Sequence, residues 1–173
     1  DARSSAGYDL KVEATLKTNP GDLYSKTYET DQSFHINANS YTIKYDASKT
    51  MKGGDSNNDT LVIDNKVVDF SHVTDLDAKV EKFENIQLKG NSEIKKFDAK
   101  AIFDITDDLN TVLKIKGDAT NKVDIKGKWH EDPSVQADAG FKGYTSNDTV
   151  VNDQTGHSQT VHIIIEDKIQ TDL

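Results

Sequence analysis

The stretch Gly53-Gly54-Asp55-Ser56-Asn57-Asn58-Asp59-Thr60-Leu61-Val62 sets two glycines beside a run of oxygen-bearing side chains. Glycine lets the backbone turn tightly and bring its carbonyls forward. A hard cation such as calcium takes roughly six to eight oxygen ligands from carboxylates, amides and carbonyls. The stretch therefore has the chemistry of a calcium-binding loop. The competing reading is a Gly-Asn turn that only starts the Leu61 strand. Other polar groupings are weaker. Asp104, Asp107 and Asp108 read as an acidic turn that ends a helix, and Asp75 and Asp77 as another solvated turn. His130, Glu131 and Asp132 are neighbours in sequence, which does not aim side chains at a common point. His157, just before a predicted strand, and His162 within it could pair on a metal, but no other residue in the sequence supports such a site, and His35 reads as a surface histidine. There is no Gly-x-Ser-x-Gly elbow, phosphate-binding loop or cysteine, so the expectation is a protein that is not an enzyme.

The elements that must hold this loop are short and mostly extended. Leu10, Val12, Ala14 and Leu16 alternate with polar residues, as do Phe34, Ile36 and Ala38, then Tyr41, Ile43 and Tyr45. Period-two alternation predicts strands with one buried face. Further strands are predicted at Leu61–Ile63, Val67–Phe70, Ile86–Leu88, Val112–Lys116, Val123–Ile125 and Val161–Ile165. Val80 to Phe83 has helical spacing and predicts a short helical turn. Phe97, Ala101 and Ile105 fall four apart and predict the best helix of the chain, ended by Asp107-Asp108. Trp129, the only tryptophan, is expected to anchor the core, and residues 134–159 read as polar loop. The fold class is mainly β, a β-roll or solenoid-like stack or a β-sandwich, with one or two short helices. Residues 1–7 read as a linker or cloning scar and 8–173 as one domain. Within it, 8–50 hold N-terminal strands, 51–130 the loop-bearing region, and 131–173 a polar loop and terminal strand.

Bulk properties narrow the partners. The 173 residues carry a net charge of −9, with 34% hydrophobic and 29% charged residues. A pI near 4.9 and a mean hydropathy of −0.70 fit a folded domain with a lean core and much polar surface. An acidic field repels nucleic acid and anionic lipid and attracts cations. No apolar run reaches the roughly 18 residues of a membrane-spanning helix. The expected partners are calcium ions and a surface glycan or protein, with self-association open and neither nucleic acid nor membrane insertion.

Several of these pieces together resemble a known family. Gly53-Gly54-Asp55 through Asp59-Thr60-Leu61-Val62 is similar to the Gly-Gly-x-Gly-x-Asp-x-Leu nonapeptide of RTX (repeats-in-toxin) proteins. Ser56 stands in place of one motif glycine, and an extra Asn shifts Asp59 by one position. The order that follows is also similar: Phe83-Glu84-Asn85-Ile86-Gln87-Leu88, then Phe97 to Ile105, then Asn110 to Asp118, then Val123-Asp124-Ile125 and Trp129. This order resembles the C-terminal region of large bacterial RTX adhesins and related surface-layer proteins exported by type I secretion. The resemblance covers residues 50–130 and extends to Thr160–Asp172, which is similar to the terminal strand of such proteins.

The resemblance implies calcium held by Asp55, Asn57 and Asp59. It also implies a secreted or cell-surface location and a secretion signal near Val161–Leu173. The leading expectation is a non-enzymatic, calcium-dependent adhesin module. The second is a surface-layer subunit that self-assembles with calcium. The third is a β domain that binds carbohydrate or protein without calcium, through an aromatic groove drawn from Tyr41, Tyr45, Trp129 or Tyr144.

Overall fold

The computed structural model describes residues 40–54, 56–107, 111–135, 137–152 and 155–173. The expected linker at 1–7, the strands at 10–16 and 34–38, and His35 lie outside the described residues. So do Asp55 and Asp108.

The chain is mainly β. Strands β1 (Thr42–Lys44), β2 (Met51–Lys52), β3 (Thr60–Asp64) and β4 (Val67–Asp69) lead into a 3-10 turn, Phe70–His72. Helix α1 (Leu76–Lys79), β5 (Val80–Glu81), β6 (Asn85–Lys89), β7 (Glu93–Phe97) and helix α2 (Ala99–Thr106) follow. After them come β8 (Leu113–Lys116), β9 (Lys122–Ile125), β10 (Trp129–Glu131), β11 (Phe141–Val151), β12 (Ser158–Glu166) and β13 (Gln170–Asp172). One sheet runs β1-β3-β6-β8-β12-β11-β10 and a second runs β13-β9-β7-β4; β2 and β5 form a separate pair.

Successive passes of the chain build the second sheet, and the β1-β3-β6-β8-β12 part of the first, from parallel strands. From β3 onward each pass lays one strand in the first sheet, turns, and lays one in the second, and a longer connection leads to the next pass. Registry makes this arrangement stable. Ile43 lies beside Leu61, Leu61 beside Ile86, Ile86 beside Ile115, and Ile115 beside Ile165. All five are buried. In the second sheet Val68, Ile94 and Val123 form a matching row. A one-residue slip would turn every member of a row to the wrong face, so the apolar pattern fixes the pairing. Phe70 packs against Tyr45 at 5.8 Å and Phe97 at 5.3 Å between ring centroids.

The turns between the sheets stack as well. Asn65 and Gly90 both take left-handed backbone angles, φ 51° and 60°. A Cβ on Gly90 would stand 2.2 Å from Asn65 Oδ1, so the stack requires glycine there. Asn121, fully buried, donates from Nδ2 to Gly90 O (2.5 Å) and accepts from the Asp118 amide (2.8 Å).

Four sequence expectations are corrected. Phe97 ends β7 and does not belong to α2, because the Asp98 side chain caps the helix by accepting from the Ala101 amide at 2.8 Å. The helical turn sits at Leu76–Lys79, with Val80 already extended. Residues 134–159 are not simply loop: they contain the eleven-residue strand β11, antiparallel to both β10 and β12. Its interior residues include Gly143, Thr145 and Ser146, so no hydrophobic alternation announces it. Trp129 is half-buried on a short edge strand, and the largest fully buried side chains are Phe70, Phe83 and Phe97. No helix among the described residues is long and apolar enough to cross a membrane.

Candidate metal centre

The Gly53–Asp59 loop joins β2 to β3, and hydrogen bonds into the fold fix its shape. Asp59 is fully buried. Its Oδ1 accepts from the Tyr41 amide (2.6 Å) and the Ser56 hydroxyl (3.0 Å), and its Oδ2 accepts from the Gly54 amide (2.7 Å). The Asp59 amide donates to Glu84 Oε2 at 2.7 Å, and its carbonyl receives the Asn85 amide at 2.9 Å. Asn58 Oδ1 accepts from Asn85 Nδ2 at 3.1 Å. Both Asp59 oxygens therefore serve protein donors, and three of a carboxylate's roughly four acceptor positions are filled. Of the three ligands expected from sequence, Asp59 is built into the scaffold, Asn57 is exposed at the loop surface, and Asp55 lies outside the described residues.

Beside the loop lies an open cleft of about 220 Å³ whose lining includes Gly54, Asn57, Lys82, Glu84, Asp107 and Thr111. Asp107 is the left-handed C-cap of α2, with φ 56°. α1 packs against α2. This packing places carboxylate oxygens of Asp77, Glu81 and Asp107 within 4.8 Å of one another. Asp77 comes from α1, Glu81 from β5 and Asp107 from the end of α2. Lys52 pairs with Glu81. Burial first, and then the negative charges of Glu81 and Asp77, push the Asp107 carboxyl above its ordinary range. Three carboxylates drawn from separate elements onto one point suit a hard divalent cation, which would offset their repulsion. Glu81 does not stand out in the sequence, and Asp77 and Asp107 read there as unrelated turns. The one sequence signal is the four-residue spacing of Asp77 and Glu81.

Glu84 adds a pH-sensitive element. Burial, and to a lesser degree the Asp59 charge, push its carboxyl up to about 7, although the hydrogen bond from the Asp59 amide favours the ionised form. A carboxyl raised in the folded state stabilises fully below its unfolded pKa, near 4.5. That contribution is lost as pH rises through about 7. The Glu84→Gln variant, measured in chelator, is therefore expected to match the parent at pH 5 and to melt higher at pH 8. The gain is about 1 kcal/mol after allowance for solvent screening, or roughly 2–4 °C in a domain of this size. Equal melting temperatures at both pH values would contradict this account of Glu84.

The histidine groupings do not assemble. His130 Nδ1 meets Asn147 Oδ1 at 2.6 Å, Glu131 pairs with Lys142 at 3.6 Å, and Asp132 turns to Ser134 and Thr145. The Thr145 hydroxyl gives its proton to Asp132 Oδ2 (2.7 Å), so His162 Nδ1 is the donor in its 2.8 Å contact with Thr145 Oγ1. The Ser134 and Thr145 hydroxyls hold the Asp132 carboxyl down at about 2. Of the expected aromatic groove, Tyr45 and Tyr144 are buried and Tyr41 lies over Gly54; Trp129 and Tyr144 line two different clefts, both separate from this centre.

No protein-family model matches this chain, and no curated protein or solved structure matches it.

Proposed function

We propose that the chain is a non-enzymatic, calcium-binding module of a secreted bacterial surface protein of the RTX adhesin type. In this reading its final strands belong to the type I secretion region. The observation that carries the proposal is the convergence of Asp77, Glu81 and Asp107 carboxylates within 4.8 Å at the return connections of the parallel stack. The residues proposed to hold calcium are these three, with the Gly53–Asp59 loop as the wall beside them. When bound, the ion would cross-link α1, β5 and the end of α2, three elements that must all be in place for a coil to close. A ligand that binds only the native state adds RT ln(1 + [L]/Kd), about 2.7 kcal/mol at a hundredfold excess over Kd.

Thermal unfolding with calcium and then with chelator tests this. Calcium is expected to raise the melting temperature by roughly 5–10 °C, and Asp107→Asn to remove most of that rise. An unchanged melting temperature in calcium would sink the reading. One feature favours a second role, self-assembly of the surface-layer kind. The second sheet ends at β4 and β13; Val67 of β4 is 58% exposed and every residue of β13 is exposed. Strand edges of this kind are templates for further pairing. Sedimentation showing larger species as calcium is added would support that role, and a monomer at every concentration would exclude it.

A further inference from the structure

We infer that a second cleft, centred on Trp129, is a binding site for a neutral saccharide. The cleft encloses about 310 Å³, and its lining includes Asp98, Lys100, Lys126, Gly127, Trp129 and Asp148. That volume is at the small end of ligand pockets and suits one or two sugar rings. The inference is independent of the calcium reading, because the cleft shares no lining residue with the acidic cleft.

Three features make this a formed site. The first is a fixed aromatic platform. Trp129 is half-buried, and its Nε1 donates to Lys126 O at 2.9 Å, so the indole is held and its polar edge is already satisfied. The second is a glycine turn that brings Asp148 and Trp129 to the same edge of the cleft. Gly127 has φ +99°, and a Cβ there would sit 3.4 Å from Asp148 Oδ2 and 3.6 Å from Trp129 Nε1. These are ordinary contact distances, so the position borders both groups, and it is the positive φ that favours glycine there. The third is a break in β11. Its pairing with β12 shifts register between Thr145 and Thr149. Bulges of this kind re-aim side chains next to functional sites. Here the bulge buries Ser146, whose hydroxyl donates to Asp148 O (2.7 Å) and accepts from the Val161 amide (2.9 Å). It leaves Asp148 exposed over Gly127. Among the described residues no protein group donates to the Asp148 carboxylate.

The charges select the ligand class. Asp98 and Asp148 repel a phosphate or carboxylate ligand. Lys100 and Lys126 repel a cationic peptide, and each already pairs with its own acid, Asp104 and Asp124. What remains suited to the cleft is an uncharged molecule with hydroxyls for the carboxylates and an apolar face for the indole. A pyranose supplies both, its hydroxyls around the ring and its C–H groups on one face.

Because Trp129 is the only tryptophan, its fluorescence reports on the cleft alone. Titration with maltohexaose, cellohexaose, chitohexaose and a galacto-oligosaccharide, in chelator, is expected to give a saturable change with at least one. Asp148→Ala should weaken that binding roughly tenfold without changing the melting temperature. In NMR titrations of Trp129→Ala, the saccharide-induced shifts of Gly127 and Thr149 should vanish. No saturable change with any of the four sugars would overturn the inference, as would undiminished binding to Asp148→Ala. Since the titration is run in chelator, failure of the calcium reading leaves its outcome unaffected.

Discussion

Replacing Asp59 by alanine is expected to cost about 4 kcal/mol of unfolding free energy, in calcium and in chelator alike. The carboxylate is fully buried and accepts from the Tyr41 amide, the Gly54 amide and the Ser56 hydroxyl. Removing it leaves two backbone N–H groups facing a void. Each buried donor without a partner costs about 1–3 kcal/mol, and hydrogen bonds to a charged acceptor lie at the strong end. The loss reaches further because these bonds hold the entry to β1 and the Gly53–Asp59 loop to the start of β3. The melting temperature should fall by roughly 8–16 °C. Urea unfolding of the two proteins with and without calcium decides the point. If Asp59→Ala lost stability only in calcium, the residue would be a ligand first and a scaffold second.

The Gly53→Ala variant should be almost as damaging, for a steric reason. A Cβ at Gly53 would lie 1.7 Å from the carbonyl oxygen of Lys82 and 2.8 Å from its carbon. Neither can swing away, because both are backbone and Lys82 already holds a left-handed φ of 61°. The Gly53 amide also donates to Glu81 O at 3.0 Å, so relieving the clash means parting β2 from β5. The expected cost is about 3 kcal/mol or more. Separation of these strands also displaces Glu81 from Asp77 and Asp107, so the calcium response should shrink with the stability. Gly140→Ala is the control. It has a positive φ of 86°, but a Cβ there would meet nothing within 4 Å, and the change should cost only about 1 kcal/mol. Equal losses for the two glycine variants would contradict the steric account.

The strands of the parallel stack were legible in the sequence because each carries a short apolar run or an alternation. Leu61, Val62 and Ile63 form a run that is buried throughout, and Ile86 and Leu88 alternate with Gln87, as Leu113 and Ile115 do with Lys114. Which strand lies beside which was not legible, because the Leu61, Ile86 and Ile115 row is made by contacts between distant segments. β11 escaped notice for a different reason. Pairing on both sides supplies its stability, and Thr145 and Ser146 are buried with their hydroxyls satisfied, so composition suggested loop. The α2 boundary was readable from Asp98 as a cap, but the four-residue repeat of Phe97, Ala101 and Ile105 outweighed it. At the site, the sequence pointed to the Gly53–Asp59 loop and assigned a liganding role to Asp59, a carboxylate that serves the backbone. The cluster of Asp77, Glu81 and Asp107 depends on α1 packing against α2, and no local spacing encodes that packing.

Calcium binding between α1, β5 and the end of α2 is the central claim. The direct measurement is a calcium titration of the isotopically labelled chain, followed by backbone amide NMR. Saturable shifts are predicted at Asp77, Glu81, Lys82 and Asp107, with a dissociation constant of roughly 10⁻⁴–10⁻³ M, the range of extracellular calcium modules. Asp107→Asn should abolish them. Amides that stay still through millimolar calcium, or shifts confined to Ser56–Asn58 and indifferent to Asp107→Asn, would contradict it.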